Sequence, residues 1–452
     1  MNKILCLRPN ILYLTYKRNG QINRPLKLKR VQNISTTLPY SFVARPRTRT
    51  QSQTWRSNLG PLNNNNRSTL QGKVDLELKL ARPERNMASA VNGPTPSSRK
   101  DEEFYSTKTV ALSRLMLPDD ANIAGNVHGG TLLKMIEEAG VIITTKYCNN
   151  VNKDDVSYQP SVCALARVER TDFLQPVYVG EVVELTAEII YTSPHSLLVE
   201  VAVFAENMIK GLCRQNVCGN HGEKRKTNRA HLWYVPLCLE PPYKVMPVPP
   251  MVYTAEGQEQ RGREEYERQK ATRQLNDVDK TTIHMQTQEG AELHTVAYSQ
   301  SMLIHLVGVS EVNQSGFCRG GVILKMMDEC AGMVAAKHCR TNIVTACLEA
   351  INFHRRVPKG SLLTLLAQPV FTSARSIEIE VVVETEVPWG ANPSEKTKAV
   401  DAFFTFVSLD ENRKTLPVPP LKVLTEEEEA RFAAAKKRYE YKKELRSKAN
   451  NK

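Results

Sequence analysis

Acidic residues are missing from the first 74 positions, which hold 14 lysines and arginines and no aspartate or glutamate. That absence carries the whole charge imbalance. The 452-residue chain has a net charge of +13, yet beyond residue 74 it has 47 basic against 48 acidic residues. A nucleic-acid-binding body needs excess positive charge on one face or helix. This near-neutral body has none to spare, so nucleic acid is not an expected partner. The ten cysteines (Cys6, Cys148, Cys163, Cys213, Cys218, Cys238, Cys318, Cys330, Cys339, Cys347) contain no CxxC pair and no even framework. Several lie in apolar runs, where cysteine acts as a small hydrophobe. This argues against a zinc site or disulfide scaffold and for reduced thiols in an intracellular compartment. No apolar run is long and uncharged enough for a membrane span, so no transmembrane segment is expected.

Residues 1–100 read as a basic, disordered N-terminal extension. They are rich in Arg, Asn, Ser, Thr and Pro, include Asn63 to Asn66 in a row, and cannot bury a core. The lack of acids matches the composition of a mitochondrial transit peptide. The apolar run from Ile4 to Tyr16 lacks the small-residue cleavage site of a secretory signal. The expected location is therefore the mitochondrial matrix or the cytoplasm, and a form starting near Met87 would be cytosolic.

The rest of the chain is organised around one stretch that occurs twice. Asn122 to Lys146 reads NIAGNVHGGTLLKMIEEAGVIITTK, and 191 residues later Asn313 to Lys337 reads NQSGFCRGGVILKMMDECAGMVAAK. The Asn, the Gly-Gly pair, Leu-Lys-Met and an acidic pair keep register in this internal repeat. After each Gly-Gly the run is apolar on nearly every side, the signature of a buried helix. Carboxylates in such a helix are costly unless paired or used. Around each helix lie alternating, β-branched runs: TKTVALSRLML, VCALARVERTDF, EVVELTAEIIYT, LLVEVAVFAEN and AHLWYVPLCL in the first repeat, with matching runs in the second. Strand, buried helix and four further strands predict an α+β unit in which a curved antiparallel sheet wraps the helix. The expected boundaries are 101–250 and 291–422 for the two units, 251–290 for a charged helical linker and 423–452 for a charged C-terminal helix. Neither charged helix shows an apolar stripe, so both read as solvated spacers or oligomer struts.

Spacing predicts where chemistry sits. Gly129 and Gly130, and likewise Gly320 and Gly321, place unsatisfied N–H donors at the positive end of a helix, a candidate oxyanion hole. Glu137 and Asp328 lie eight residues beyond the first glycine of their own helix, roughly 12 Å along the axis. One helix therefore cannot bring its glycine and its acid to one carbonyl, whereas an antiparallel partner helix can. Two composite sites follow: Asn122 and Gly129 with Asp328, and Asn313 and Gly320 with Glu137. The acid would serve as general base or nucleophile, and the Asn would orient water or carbonyl. The adjacent acids Glu138 and Glu329 are equally well placed by sequence. Asn122 and Asn313 also fit plain turn residues, and His128, replaced by Arg319 in the second repeat, fits loop packing.

DDANIAGNVHGGTLLKMIEEAG (119–140) and GGVILKMMDECAGMVAAKHC (320–339), supported by LWYVPL (232–237) and INFH (351–354), resemble the hotdog-fold acyl-CoA thioesterases in their tandem form. The resemblance spans about residues 105–425. It implies two tandem hotdog domains forming an intrachain pseudo-dimer, commonly assembled as a hexamer, a trimer of tandem pairs. It implies hydrolysis of long-chain fatty acyl-CoA to free acid and CoA, with no metal or bound cofactor. Its essential pair falls on Asn122 and Asp328. The family usually has His-Gly-Gly in the second repeat, where this chain reads Cys318-Arg319-Gly320-Gly321. Arg319 is therefore expected to block or recharge the second site, leaving one strong site and one weak or dead one. Arg355, Arg356 and Lys359 are the candidate cations for the phosphates of CoA. A hotdog dehydratase would need a catalytic His in a proline-containing loop, which this chain lacks. A catalytically silent acyl-CoA-binding scaffold is the remaining alternative.

Overall fold

The computed structural model describes residues 109–450 apart from 123–124, 151–158, 209–223, 254–255, 277–281 and 390–394, together with Leu7–Arg8 and Ile11–Leu12. Those two dipeptides pair antiparallel within a unit of their own, Met1–Ala90. The rest of the expected disordered extension, with its transit-peptide character, lies outside the described residues.

In the first repeat β1 is Thr109–Leu115, α1 Gly129–Cys148, β2 Ser161–Val168, β3 Thr171–Phe173, β4 Val182–Thr192, β5 Leu197–Glu206 and β6 Arg225–Cys238. Helix α2 (Gln258–Asn276) follows. The second repeat has β7 at Ser301–Leu306, α3 at Gly320–Cys339, β8 at Asn342–Leu348, β9 at Ile351–Asn352, β10 at Leu362–Thr372, β11 at Ser376–Glu386 and β12 at Thr397–Leu409. Helix α4 (Glu426–Asn450) closes the chain. Two tandem hotdogs are present, as the repeat predicts.

Among the described residues one 12-stranded sheet runs in the order β1-β4-β5-β6-β3-β8-β12-β11-β10-β7, with β2 and β9 pairing beside the junction. The repeats fuse where Thr171 and Asp172 pair with Leu348 and Cys347, and where Val168 pairs with Ile351. The run VCALARVERTDF, expected as one strand, breaks at Glu169–Arg170 because its two halves pair with different strands of the other repeat.

Both core helices are enclosed. Ile136, Ala139 and Ile143 of α1 and Met327, Cys330, Ala331 and Val334 of α3 have no measurable exposure. Burying each large side chain is worth roughly 1.5–3 kcal/mol, which outweighs the weak amphipathic pattern. Gly140 is a steric necessity. A Cβ there would lie 2.2 Å from the Tyr234 hydroxyl, which donates to the Glu137 carbonyl at 3.1 Å.

The charged helices are not solvated struts, a correction to the reading above. Tyr266 of α2 packs against Trp233, ring centroids 5.8 Å apart, and Gly262 lies flat on Tyr191. In α4, Phe432 and Tyr439 meet Phe371 at 5.1 and 5.3 Å. Arg438 and Lys442 bond the buried Glu378 at 2.7 and 2.9 Å, and Arg431 bonds Glu380 at 2.5 Å. The stripe went unseen because its partners are carboxylates on the outer face of β11, which only the sheet assembles. Among the described residues, no helix is long and apolar enough to cross a membrane.

Candidate active site

The helices α1 and α3 pack side by side and antiparallel, each Gly-Gly start against the acid of the other. A Cβ on Gly130 would fall 2.9 Å from Asp328 Cβ and from the Lys325 backbone, and one on Gly321 would fall 2.8 Å from Glu137 Oε2. The glycines are there so that the two backbones can approach. Each acid is thereby carried into the other repeat's helix start.

In the first composite site the Gly130 N–H donates to Asp328 Oδ2 at 2.8 Å, and the Thr345 hydroxyl donates to Oδ1 at 2.7 Å. Asp328 is 2% exposed. Burial raises its pKa above the ordinary aspartate value, against the lowering effects of these two hydrogen bonds and the nearby His128. Because Gly130 spends its N–H on the carboxylate, it is not an oxyanion donor, contrary to the sequence reading. The Gly129 N–H has no acceptor among the described residues. A Cβ on Gly129 would lie 2.7 Å from Thr345 Oγ1 and 3.1 Å from Asp328 Oδ1, so the backbone here borders the Asp328 carboxylate.

Asn122 is a loop anchor. Its Oδ1 accepts from the Asn126 N–H at 3.1 Å, and its Nδ2 donates to Asn342 Oδ1 at 3.1 Å and to the Ile343 carbonyl at 3.2 Å. The turn reading thus holds for its oxygen, while its amide donors point into the second repeat. The loop bearing His128 to Gly130 is thereby tied to β8, the strand that also supplies Thr345.

The second composite site repeats the frame with different chemistry. Glu137 is 2% exposed and accepts a hydrogen bond from the Gly321 N–H. Burial pushes its pKa up to about 7, partly offset by Arg319. The position of Thr345 is taken by Leu165, whose Cδ2 lies 2.7 Å from where a Gly320 Cβ would be. Asn313 Oδ1 accepts from the Ser315 and Phe317 N–H groups, both at 3.1 Å. A cavity of 240 Å³ opens here, lined among others by Glu137, Leu165, Asn313, Arg319, Arg355 and Arg356. Arg319 lines this cavity, pairs with Glu138 at 2.9 Å and still acts on Glu137.

These bonds decide between the adjacent acids. Glu137 and Asp328 face the glycines, whereas Glu138 pairs with Arg319 and Glu329 with Lys325 at 3.5 Å. Arg355 and Arg356 are exposed and line the second cavity, whereas Lys359, whose N–H donates to the Gly316 carbonyl, is not among its lining residues. Two of the three candidate CoA cations thus border the second site. Sequence reasoning missed Thr345 and Asn342. Counting back from Gly360 to Gly180 aligns them with Leu165 and Val162, and a polar residue in only one repeat was the available signal. The seven described cysteines are free thiols, including the buried pair Cys148 and Cys163.

Residues 124–211 and 315–388 match the family model of the thioesterase superfamily. The "Cytosolic acyl coenzyme A thioester hydrolase" of Rattus norvegicus is 51% identical over 330 residues, 73% of this chain and 82% of that protein. The Homo sapiens protein of the same name is 50% identical over 326 residues, 72% of this chain and 81% of its own. Among solved structures, an apo-hexameric acyl-CoA thioesterase is 30% identical with a TM-score of 0.32, covering 34% of this chain and 97% of its own. With half its residues shared over most of the length of such relatives, the chain belongs to the acyl-CoA thioester hydrolases, in their tandem-hotdog form.

Proposed function

We propose that the chain hydrolyses long-chain fatty acyl-CoA to free fatty acid and CoA at the composite site of Gly129, Gly130, Asp328 and Thr345. The observation that carries this reading is the Gly130 N–H to Asp328 bond of 2.8 Å joining the two repeats. It sets a buried, doubly held carboxylate beside the unclaimed N–H of Gly129. In the proposed reaction Gly129 N–H holds the thioester carbonyl oxygen as charge develops on it. Asp328 takes a proton from a water, whose oxygen attacks the carbonyl carbon. The C–S bond then breaks, and the proton passes to the departing CoA thiolate. Thr345 and Gly130 fix the carboxylate, and Asn122 holds the loop that presents Gly129.

The test is thiol release by the full chain from acyl-CoA thioesters of increasing length, with a single turnover in H₂¹⁸O. Release rising towards palmitoyl-CoA, with label in the fatty acid and none in Asp328, is expected. No release at any length would sink the reading, and label in Asp328 would make that residue the nucleophile. The cytosolic names of the relatives support a cytoplasmic location. Met302, Ile304 and Leu306, exposed on the edge strand β7, support assembly into a trimer of tandem pairs. Light scattering at the mass of one chain would exclude that assembly.

A further inference from the structure

The first composite site has its acid, its glycines and its hydroxyl, but two of the three cations expected to greet CoA line the other site. Its own rim segment, Leu174 to Val179, contains no basic residue. Two arginines nearby are committed to carboxylates: Arg225 grips Glu181 at 2.7 and 2.6 Å, and Arg114 binds Asp120 at 2.8 and 2.9 Å. Arg413 differs. Its guanidinium carbon lies 4.1 Å from the Tyr178 ring centroid, and among the described residues no carboxylate is paired with it.

A closed chain of contacts links Arg413 to the loop of the first site. Asn122 bonds Asn342, and Asn342 pairs with Leu409 at the end of β12. The turn after β12 carries Arg413, Arg413 stacks on Tyr178, Tyr178 bridges to Asn126, and the Asn126 N–H returns to Asn122. The turn is built to present this side chain. Asp410 receives the Lys414 N–H on its carboxylate at 2.7 Å, and the Asp410 carbonyl receives the Arg413 N–H at 3.0 Å. Arg413 sits at a φ of 64°, a left-handed conformation uncommon outside glycine and asparagine. Strain of that kind persists where the surroundings enforce it, often at a ligand clamp. Beside Tyr178 in the backbone pairing, the buried Asn126 amide has no partner for its oxygen or its nitrogen among the described residues. A buried amide without a partner calls for one, such as a water or a polar ligand group. The second site repeats the device from another segment, with Arg356 5.5 Å from the Phe317 ring.

We propose that Arg413, stacked on Tyr178 and tied through Asn126 to the Asn122 loop of the first composite site, binds the phosphate-bearing end of the acyl-CoA and so sets the preference for CoA over shorter thioesters. This rests on the thioesterase reading of that site. A guanidinium held flat on an aromatic ring keeps its planar donors available for phosphate oxygens. Arg413 acts far from the bond that breaks, so it contributes binding rather than rate.

The test compares palmitoyl-CoA with S-palmitoyl-pantetheine, which lacks the nucleotide, in full-length wild type, Arg413→Asn and Arg413→Lys. Asparagine tolerates the left-handed turn without the charge. For Arg413→Asn, KM for palmitoyl-CoA should rise about tenfold with kcat within about twofold, while the pantetheine thioester is unaffected. Arg413→Lys should recover part of the loss, and added salt should shrink the wild-type advantage. An unchanged KM for palmitoyl-CoA, or an equal loss on both substrates, would overturn the assignment while leaving the hydrolase reading intact. Arg355→Ala producing the whole effect in its place would also overturn it. If wild type cleaved neither substrate, the hydrolase reading would fail and take this assignment with it.

Discussion

The two composite sites share a backbone and differ in what touches the acid. Asp328 is held on both oxygens, by Gly130 and by Thr345, whereas Leu165 occupies the place of the hydroxyl beside Glu137. A pKa near 7 is no handicap for a base working near neutral pH, and Glu137 has one. What distinguishes the second site is how its acid is held. An acid bonded to one N–H and facing leucine is free to turn about that bond, while one held at 2.7 and 2.8 Å on two sides is not. Acidity and positioning are separable here because duplication kept the glycines and acids while the walls diverged.

The largest expected effect lies in the acids themselves. Asp328→Asn should lower kcat at least about a hundredfold, within the range ascribed to a positioned base, while Glu137→Gln leaves turnover within about twofold. Equal partial losses in thiol release would mean two working sites. The hydroxyl comes next. Thr345→Val should cut kcat about tenfold and move the acid limb of the pH profile upward, because the lost bond favoured the Asp328 anion. Burial already raises the Asp328 pKa above its ordinary value, so activity should fall as pH drops through that pKa. Leu165→Thr, read the same way, should lower the pKa of Glu137.

The remaining effect is on stability rather than turnover. Glu137 has a raised folded pKa, so the folded state holds its proton more tightly than the unfolded chain does. The penalty for ionising it is absent below pH about 4.5 and complete above about 7. Glu137→Gln removes that penalty, on the order of 3 kcal/mol. Melting temperatures of variant and wild type should coincide near pH 4 and separate in the variant's favour near pH 8. A constant difference across that range would show that the glutamate is not buried as its surroundings require.

The repeat made much of the fold legible. A buried helix, strands of period two and a duplicated itinerary lead to a helix wrapped by a sheet, and axial rise alone paired Gly129 with Asp328 rather than with Glu137. Local pattern failed where a residue's partner is distant. The break at Glu169–Arg170 depends on two strands of the other repeat, and the docking face of α4 depends on Glu378 and Glu380 across the sheet. Gly130 looked like an oxyanion donor because sequence shows a donor and not what accepts from it.

Sequence by itself determined the two units, their central helices, the inventory of acids and glycines and the pairing of each glycine start with the other helix's acid. These follow from periodicity, duplication and the fixed rise of a helix, all local or repeated quantities. Tertiary structure alone decided that Asp328 meets Thr345 while Glu137 meets Leu165, that Asn122 anchors rather than reaches outward, and that Arg413 arrives at Tyr178. Each of those contacts joins segments far apart in the chain, where only packing fixes which side chains come within hydrogen-bonding or stacking distance.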